Sequence, residues 1–388
     1  MKVAHVITRM IIGGAQENTL YNCLDLIEYY SDDVLLMTGP SEGPEGRLLE
    51  QGRGEGLPVK VIPSLQRAIH PWRDWLAYRE LLSAIQEFQP DVVHTHSAKG
   101  GILGRAAAWK LNVPAVIHTV HGAPFHPYQS WAARKFFAWC ERWGARRCHR
   151  MICVADAMTD LMVDAKVAPR DKFTTVYSGM EVEPFLEAHR YRSAIRQELG
   201  ISEEAIVVGK IARLFHLKGH EYLIEAAAEV VRKVPRIVFL LVGDGVLREQ
   251  LQKRIDELGM QKNFCFAGLL APKRIPEYLG AMDILVHTSL REGLARALPQ
   301  ALIAGIPVIS FDIDGAREVV RDGETGFLLA PRDIQGLAGA LIRLAEDAPL
   351  RKNLGKTGQT RCAEQFRHQK MTADLRAIYQ EVLAKKGS

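Results

Sequence analysis

Short apolar runs of strand length recur along the first half of the chain, at 2–8, 33–38, 59–62, 91–94, 114–120, 150–154 and 173–177. Between most of them apolar positions recur with the helical period, as at 16–30, 72–87 and 101–111. Strands alternating with helices predict a parallel sheet covered on both faces. The pattern is interrupted by Pro184 and the polar stretch 187–196, which reads as a linker. It then resumes with strand-like runs at 206–211, 236–242, 263–267, 283–286, 306–310 and 327–329, and helical segments such as 220–233 and 246–258. The expectation is an α/β chain of two domains, 1–185 and 186–370, followed by a C-terminal helix, 371–388, with the first domain as a candidate place for it to pack. Its 388 residues exceed what one ordinary core holds, which favours the same division.

Parallel sheets bind ligands beyond the carboxyl ends of their strands, so the loops that follow strands are the candidate sites. The richest is 288–305, TSLREGLARALPQALIAG. Glu292 and Gly293 precede a helical pattern at 295–304, and Pro299, lacking an N–H, fits only its first turn, which puts Gln300 just inside. Gly293 lets a ligand approach the backbone, and the helix start attracts an anion. A carboxylate, an anion-binding helix end and an amide on one rim suit a ligand with hydroxyls at both ends and phosphates between. After the run at 206–211, Arg213 and Lys218 flank a loop ahead of a helix. Two fixed cations there could neutralise a diphosphate leaving group without a metal. In the first half, Gly13-Gly14 opens the helical segment 16–30 and its N–H groups can face a phosphate; it is not GxGxxG, so a dinucleotide fold is not indicated. His94, His96, His118 and His121 stand at the ends of the fourth and fifth strands. Such histidines can bind a sugar hydroxyl, stabilise charge or simply bond to the backbone; their spacing also suits zinc, but no acid or cysteine cluster accompanies them.

With 47% hydrophobic and 24% charged residues the chain is an ordinary globular protein. A net charge of +5 is too small for a dedicated nucleic-acid binder. Six cysteines without a CxxC pair fit reduced thiols in the cytoplasm. Arg9 interrupts the apolar start, so no signal peptide is expected, and no apolar run is long enough to span a membrane. Positive charge gathers in 131–150, WAARKFFAWCERWGARRCHR, where Arg134, Lys135, Arg142, Arg146, Arg147 and Arg150 face the single acid Glu141 among Trp131, Phe136, Phe137, Trp139 and Trp143. A basic, aromatic helix can lie on an anionic lipid surface, or it can pack on the sheet with its basic face solvated. Three motifs are set aside as chance matches: Asp312-Ile313-Asp314 as a DxD metal site, Gly355-Lys356-Thr357 as a P-loop end, and Gly243-Asp244-Gly245 as a dinucleotide loop, where Arg248 replaces the third glycine.

The segments GGAQ, VHTVHG, IARLFHLKG, FLLVGDGVLREQL, FAGLL and SLREGLARALPQALIAGIPVIS occur in that order. Together they resemble glycosyltransferase family 4, the group 1 glycosyl transferases, over nearly the whole chain. The resemblance implies the GT-B architecture, two Rossmann-like α/β/α domains facing across a cleft, with the acceptor held mainly by the first and the nucleotide-sugar donor mainly by the second. It implies a retaining hexosyltransferase that needs no metal and no cofactor. The sugar would pass from a nucleotide diphosphate sugar, with UDP as the expected nucleotide, to a hydroxyl of a saccharide or lipid-linked acceptor. On this likeness Glu292 is the first acid of the E-x7-E motif and contacts the transferred sugar, with Gly293, Leu294 and Ala295 beside the donor phosphate and sugar. Arg213 and Lys218 lie on the diphosphate, Gly243 on the donor side, Gly14 with Gly13 in the loop that closes on the donor, and His121 near the reacting sugar. The second acid of the motif falls on Gln300, whose amide accepts a ribose hydroxyl more weakly than a carboxylate would. A nucleotide-sugar epimerase or phosphorylase on the same fold, or a non-catalytic nucleotide-sugar-binding protein, are the alternatives. The loops at 40–56, 64–72 and 122–130, candidates for choosing the acceptor, carry no readable code. The expected location is cytoplasmic, peripheral on the inner face of the membrane where 131–150 meets lipid.

Overall fold

The computed structural model describes residues 1–41, 48–51 and 56–387, so most of the candidate acceptor loop at 40–56 lies outside the described residues. The chain forms two compact units, Met1–Met180 with Arg367–Ser388, and Glu181–Phe366.

In the first unit seven parallel strands, β1 (Lys2–Ile7), β2 (Asp33–Thr38), β3 (Val59–Val61), β4 (Val92–His96), β5 (Ala115–Val120), β6 (Arg150–Cys153) and β7 (Phe173–Thr175), lie in the order β3-β2-β1-β4-β5-β6-β7. Every residue of β4 and β5 is buried, as expected of strands covered on both faces. The second unit has six parallel strands, β8 (Ile206–Ile211), β9 (Ile237–Val242), β10 (Phe264–Gly268), β11 (Ile284–His287), β12 (Val308–Phe311) and β13 (Gly326–Leu329), in the order β10-β9-β8-β11-β12-β13. In each sheet the order reverses once, between β1 and β4 and between β8 and β11. The two loops that leave such a point diverge and open a crevice at the carboxyl ends.

The last helix, His368–Gly387, belongs to the first unit and packs beside helix Gly14–Tyr30. Polar groups, and not only apolar ones, join them. Thr372 Oγ1 donates to Asp25 Oδ2 at 2.7 Å, Asn22 Nδ2 donates to Thr372 Oγ1 at 3.3 Å, and the Tyr379 hydroxyl donates to Asn22 Oδ1 at 3.2 Å. The tyrosine has one proton and gives it to Asn22, so His94 Nδ1, 2.5 Å from the Tyr379 oxygen, is the donor there. His94 Nε2 then accepts from Thr119 Oγ1 at 2.7 Å. One buried carboxylate thus orders donors and acceptors from the last helix to the middle of the sheet.

The stretch 187–196 differs from its reading as a linker. It lies inside the second unit as a short 3-10 helix, Ala188–Tyr191, and the start of helix Arg192–Glu198. The reason is Arg196, a fully buried side chain. Its guanidinium donates to the carbonyls of Ala281, Ser202, Glu203 and Ala205 and to Asp283 Oδ2 at 2.8 Å. Polar composition cannot distinguish such a clamped arginine from a solvated one. Removing one partner of a buried ion pair leaves the other charge and its acceptors uncompensated. Arg196→Met is therefore expected to destabilise the second unit by about 3–5 kcal/mol in denaturant unfolding; a change within ~0.5 kcal/mol, as at ordinary surface sites, would contradict this role.

Candidate active site

The loops after β8 and β11, which flank the reversal in the second sheet, are stitched together. Lys210, the fifth residue of β8, reaches Thr288 Oγ1 with its Nζ at 2.8 Å, and Thr288 Oγ1 donates to Gly219 O at 2.6 Å. The Leu290 N–H meets Leu217 O at 2.8 Å. Gly219 has φ of 66°, and a Cβ there would lie 1.9 Å from Thr288 O, so only glycine permits the approach.

Stitching brings Lys218 to Glu292: Nζ and Oε1 are 2.5 Å apart, each side chain about one-fifth exposed, at 20% and 21%. The sequence assigned these two residues to different parts of a ligand; here they are an ion pair. His287, at the end of β11, lies 3.4 Å from the same oxygen through Nε2. Burial lowers the His287 pKa, so the ring is neutral and donates from Nε2. Burial alone pushes the Glu292 carboxyl up, but the His287 hydrogen bond and the Lys218 charge overcome it and hold the group well below the usual carboxylate range. The Glu292 N–H is fixed by Asp314 Oδ2 at 2.6 Å. Asp312 pairs instead with Arg317. The two aspartates of the DxD match are therefore engaged by different partners.

Arg213 is exposed, its guanidinium 5.1 Å from the Phe215 ring centroid, and its carbonyl accepts from His220 Nε2 at 3.1 Å. Gly243 backs this segment: its φ is 134°, and a Cβ would lie 2.1 Å from Ala212 O. Gly293 and Leu294 are half-buried and Ala295 is buried. Gln300 is half-buried in helix Ala297–Ile303, a shorter helix than the expected 295–304, with Pro299 as its third residue. A cavity of about 290 Å³ opens at the opposite, amino ends of β11 and β12, lined by Arg192, Asp283, Gly305 and Arg351 among others; it holds none of the expected site residues.

In the first unit Gly13 precedes helix Gly14–Tyr30 with extended backbone, and its carbonyl accepts the Glu17 N–H at 3.0 Å. The loop after β1 is tied to that after β4 by Thr8 Oγ1 and Ser97 Oγ, 2.7 Å apart. His121 follows β5; its Nε2 is 3.0 Å from His96 Nδ1, and His96 Nε2 is 3.0 Å from His5 Nδ1. His118 bonds Thr95 Oγ1 at 2.9 Å through Nδ1. Among the described residues His5, His94 and His96 could present ring nitrogens to one metal ion, within 4.8 Å of one another. Both nitrogens of His94, both of His96 and Nδ1 of His5 are already hydrogen-bonded, so a metal would have to displace side-chain partners.

Helix Trp131–Ala145 buries Ala138, Glu141, Gly144 and Ala145. Trp131, Phe136 and Trp139 stay outside, 64%, 50% and 58% exposed, which packing on the sheet does not explain. Glu141 is spent internally on buried Arg105 at 3.0 Å, leaving Arg134 and Lys135 on the aromatic outer face. Among the described residues no helix is long and apolar enough to cross a membrane.

Sequence reasoning missed Lys210, His287 and Thr288. The signal for Lys210 was present: a lysine inside an apolar run read as a buried strand. Burial, followed by the nearby Lys218 charge, lowers its pKa from 10.5 to about 7. The unfolded chain thus binds more protons than the native one between pH 7 and pH 10.5, so this lysine costs stability in full below pH 7 and less as pH rises. Lys210→Met is expected to stabilise the protein on the order of 4 kcal/mol at pH 6, with the gain shrinking toward pH 10. Equal effects at both pH values in denaturant unfolding would refute it.

Residues 192–361 match the family described as glycosyl transferases group 1, and residues 30–179 match the glycosyl transferase 4-like domain. The chain is 28% identical over 389 aligned residues to the UDP-Gal:alpha-D-GlcNAc-diphosphoundecaprenol alpha-1,3-galactosyltransferase of Escherichia coli, covering 100% of this chain and 98% of that one. It is 27% identical to the putative glycosyltransferase EpsD of Bacillus subtilis over 78% of this chain and 79% of that one. Among solved structures, Anabaena HepE in complex with UDP superimposes with a TM-score of 0.82 at 23% identity, covering 98% of this chain and 100% of that one. Sucrose-phosphate synthase from Thermosynechococcus elongatus gives 0.80 at 18% identity, covering 99% and 100%. The architecture is the two-domain GT-B fold.

Proposed function

Since this chain belongs to the group 1 glycosyl transferases and is a glycosyltransferase, we propose that it moves a hexose from a UDP-sugar to a hydroxyl of a lipid-linked saccharide, with retention and without a metal. The observation that carries this reading is the Lys218–Glu292 pair at the carboxyl ends of β8 and β11. It supports the reading because it offers a cation suited to a departing diphosphate and an ionised carboxylate suited to sugar hydroxyls, side by side. The likeness to the Escherichia coli galactosyltransferase runs the full length of both chains and favours a UDP-hexose and a diphosphate-lipid acceptor.

In this reading Lys218 has three N–H groups, enough to keep Glu292 and take a phosphate oxygen as well. Arg213 supplies a second cation from the same loop. As the donor's C1–O bond breaks, charge grows on the diphosphate and the fixed cations stabilise it. The acceptor hydroxyl attacks the same face, and the departing phosphate oxygen takes its proton. Glu292 and His121 meet the transferred sugar, with the backbone of Gly293, Leu294 and Ala295 beside it; Gly13, Gly14 and Gly243 let backbone approach the donor. Gln300 takes the ribose hydroxyls through its amide oxygen, more weakly than an acid.

Thermal-shift measurements with UDP-, GDP- and ADP-sugars test the donor, and turnover with a diphosphate-lipid saccharide tests the reaction. Arg213→Ala and Lys218→Ala are each expected to lower kcat roughly a hundredfold, as for loss of one oxyanion donor. Undiminished turnover in both variants would remove the electrostatic account. Donor altered with no acceptor present would establish an epimerase, and binding with no turnover in any acceptor mixture a non-catalytic protein.

The exposed aromatic and basic face of helix Trp131–Ala145 supports a place on an anionic membrane surface, where a lipid-linked acceptor would be met. Flotation with liposomes is expected to recover the protein with anionic lipid, and to lose it on Trp131→Ser with Trp139→Ser. Equal recovery on neutral liposomes, or none on either, would contradict this.

A further inference from the structure

We infer that a buried relay of imidazoles, His5 to His96 to His121, fixes His121 as its Nδ1–H tautomer, so that this ring meets the transferred sugar neutral and with Nε2 already occupied. The part concerning the sugar rests on the function proposed above. The tautomer rests on geometry alone.

The three rings come from neighbouring strands: His5 is on β1, His96 ends β4 and His121 follows β5. His5 Nδ1 and His96 Nε2 are 3.0 Å apart, as are His96 Nδ1 and His121 Nε2. A neutral imidazole has one donor and one acceptor, so three in a row admit only two proton orders. In the first, His5 donates from Nδ1 to His96, His96 donates from Nδ1 to His121, and His5 Nε2 is left a bare lone pair. In the second, every proton is reversed and His5 Nε2 carries an N–H.

His5 Nε2 decides between them. It is buried and has no hydrogen-bond partner among the described residues. A buried N–H without an acceptor costs the full desolvation of the group, and such orphans are rarer than unsatisfied acceptors. The first order therefore holds. Burial keeps the inner rings neutral, lowering His5 to about 3 and His96 well below its ordinary value, the latter helped by the neighbouring histidines.

The consequence reaches His121. Placing a proton on its Nε2 would oppose two donors, His96 Nδ1–H and the new N–H. Relief requires the whole row to reverse and to strand an N–H on His5. Acid–base work at Nε2 is thereby closed to His121. His96 and His5 act as positioning residues, holding the ring's orientation and its proton.

The test reads the tautomer directly. The full-length protein is labelled with ¹⁵N-histidine, and two-bond ¹H–¹⁵N spectra are recorded, with the His121 signals identified by their loss in His121→Ala. The expected spectrum at pH 7 shows His121 with a protonated Nδ1 and a bare Nε2. An Nε2–H tautomer or an imidazolium would overturn the inference. His96→Leu removes the donor; it is expected to mix the His121 tautomers and lower kcat about tenfold through loss of orientation. His96→Asn keeps an N–H where Nδ1 stood and is expected to restore the Nδ1–H form and most of the turnover. An unaltered tautomer in His96→Leu would overturn the relay. If that variant fails to fold, the wild-type spectrum still decides. Full turnover in His121→Ala beside the expected tautomer would sink the role of His121 at the sugar while upholding the relay.

Discussion

The second domain's rim depends on the divergence of β8 and β11. These strands are parallel neighbours, but the chain reaches its next strands in opposite directions from them. Their carboxyl-end loops therefore separate, and specific contacts close the gap: the Leu290 N–H meets Leu217 O, and side chains bridge the rest. Lys218 comes from one loop and Glu292 from the other, and their contact at 2.5 Å is that bridge. Thr288 and Gly219 brace it from below, and His287 and Asp314 hold the carboxylate from the side and by its backbone. The groups proposed to receive a departing diphosphate are thus held to one another within the protein itself, and fixed charge acts most strongly when it is oriented in advance.

Preorganisation of this kind carries a local cost. Lys210 sits in the sheet, its pKa brought down to about 7 by burial and its neighbours. It still donates to Thr288, and so positions the loop that carries Glu292. The first domain uses the same device with buried hydrogen-bonded polar groups. There Asp25 orders Thr372, Asn22, Tyr379, His94 and Thr119, and a separate row of histidines runs from β1 to His121. Polar networks buried in sheets specify one arrangement when every member is satisfied. Among the described residues His5 Nε2 is a buried ring nitrogen of this row without a partner, and it is this atom that gives the row a direction.

The strands and their alternation with helices were legible because strands covered on both faces read as continuous apolar runs. The loops were legible for the same reason, since polar residues directly after such runs stand at carboxyl ends. Glu292, Lys218 and Arg213 were named as loop candidates in this way, as were His94, His96, His118 and His121 together; the choice of His121 among the four came from the family resemblance. The pairing of Lys218 with Glu292 was not, because the residues are 74 positions apart and nothing local states which loops meet. Arg196 was misread because a buried, fully bonded arginine has the same letter as a solvated one. Lys210 and His287 passed as members of apolar runs. The exposure of Trp131, Phe136 and Trp139 could not be settled from sequence, since the helix has enough apolar residues to bury either face.

The central claim is that charge fixed in the second domain, with no borrowed cation, receives the nucleotide diphosphate. Calorimetric titration of UDP into protein stripped of divalent ions with excess chelator tests this most directly. The account predicts one-site binding of unchanged affinity when Mg²⁺ or Mn²⁺ is restored. Binding that appears only with the divalent ion would contradict it.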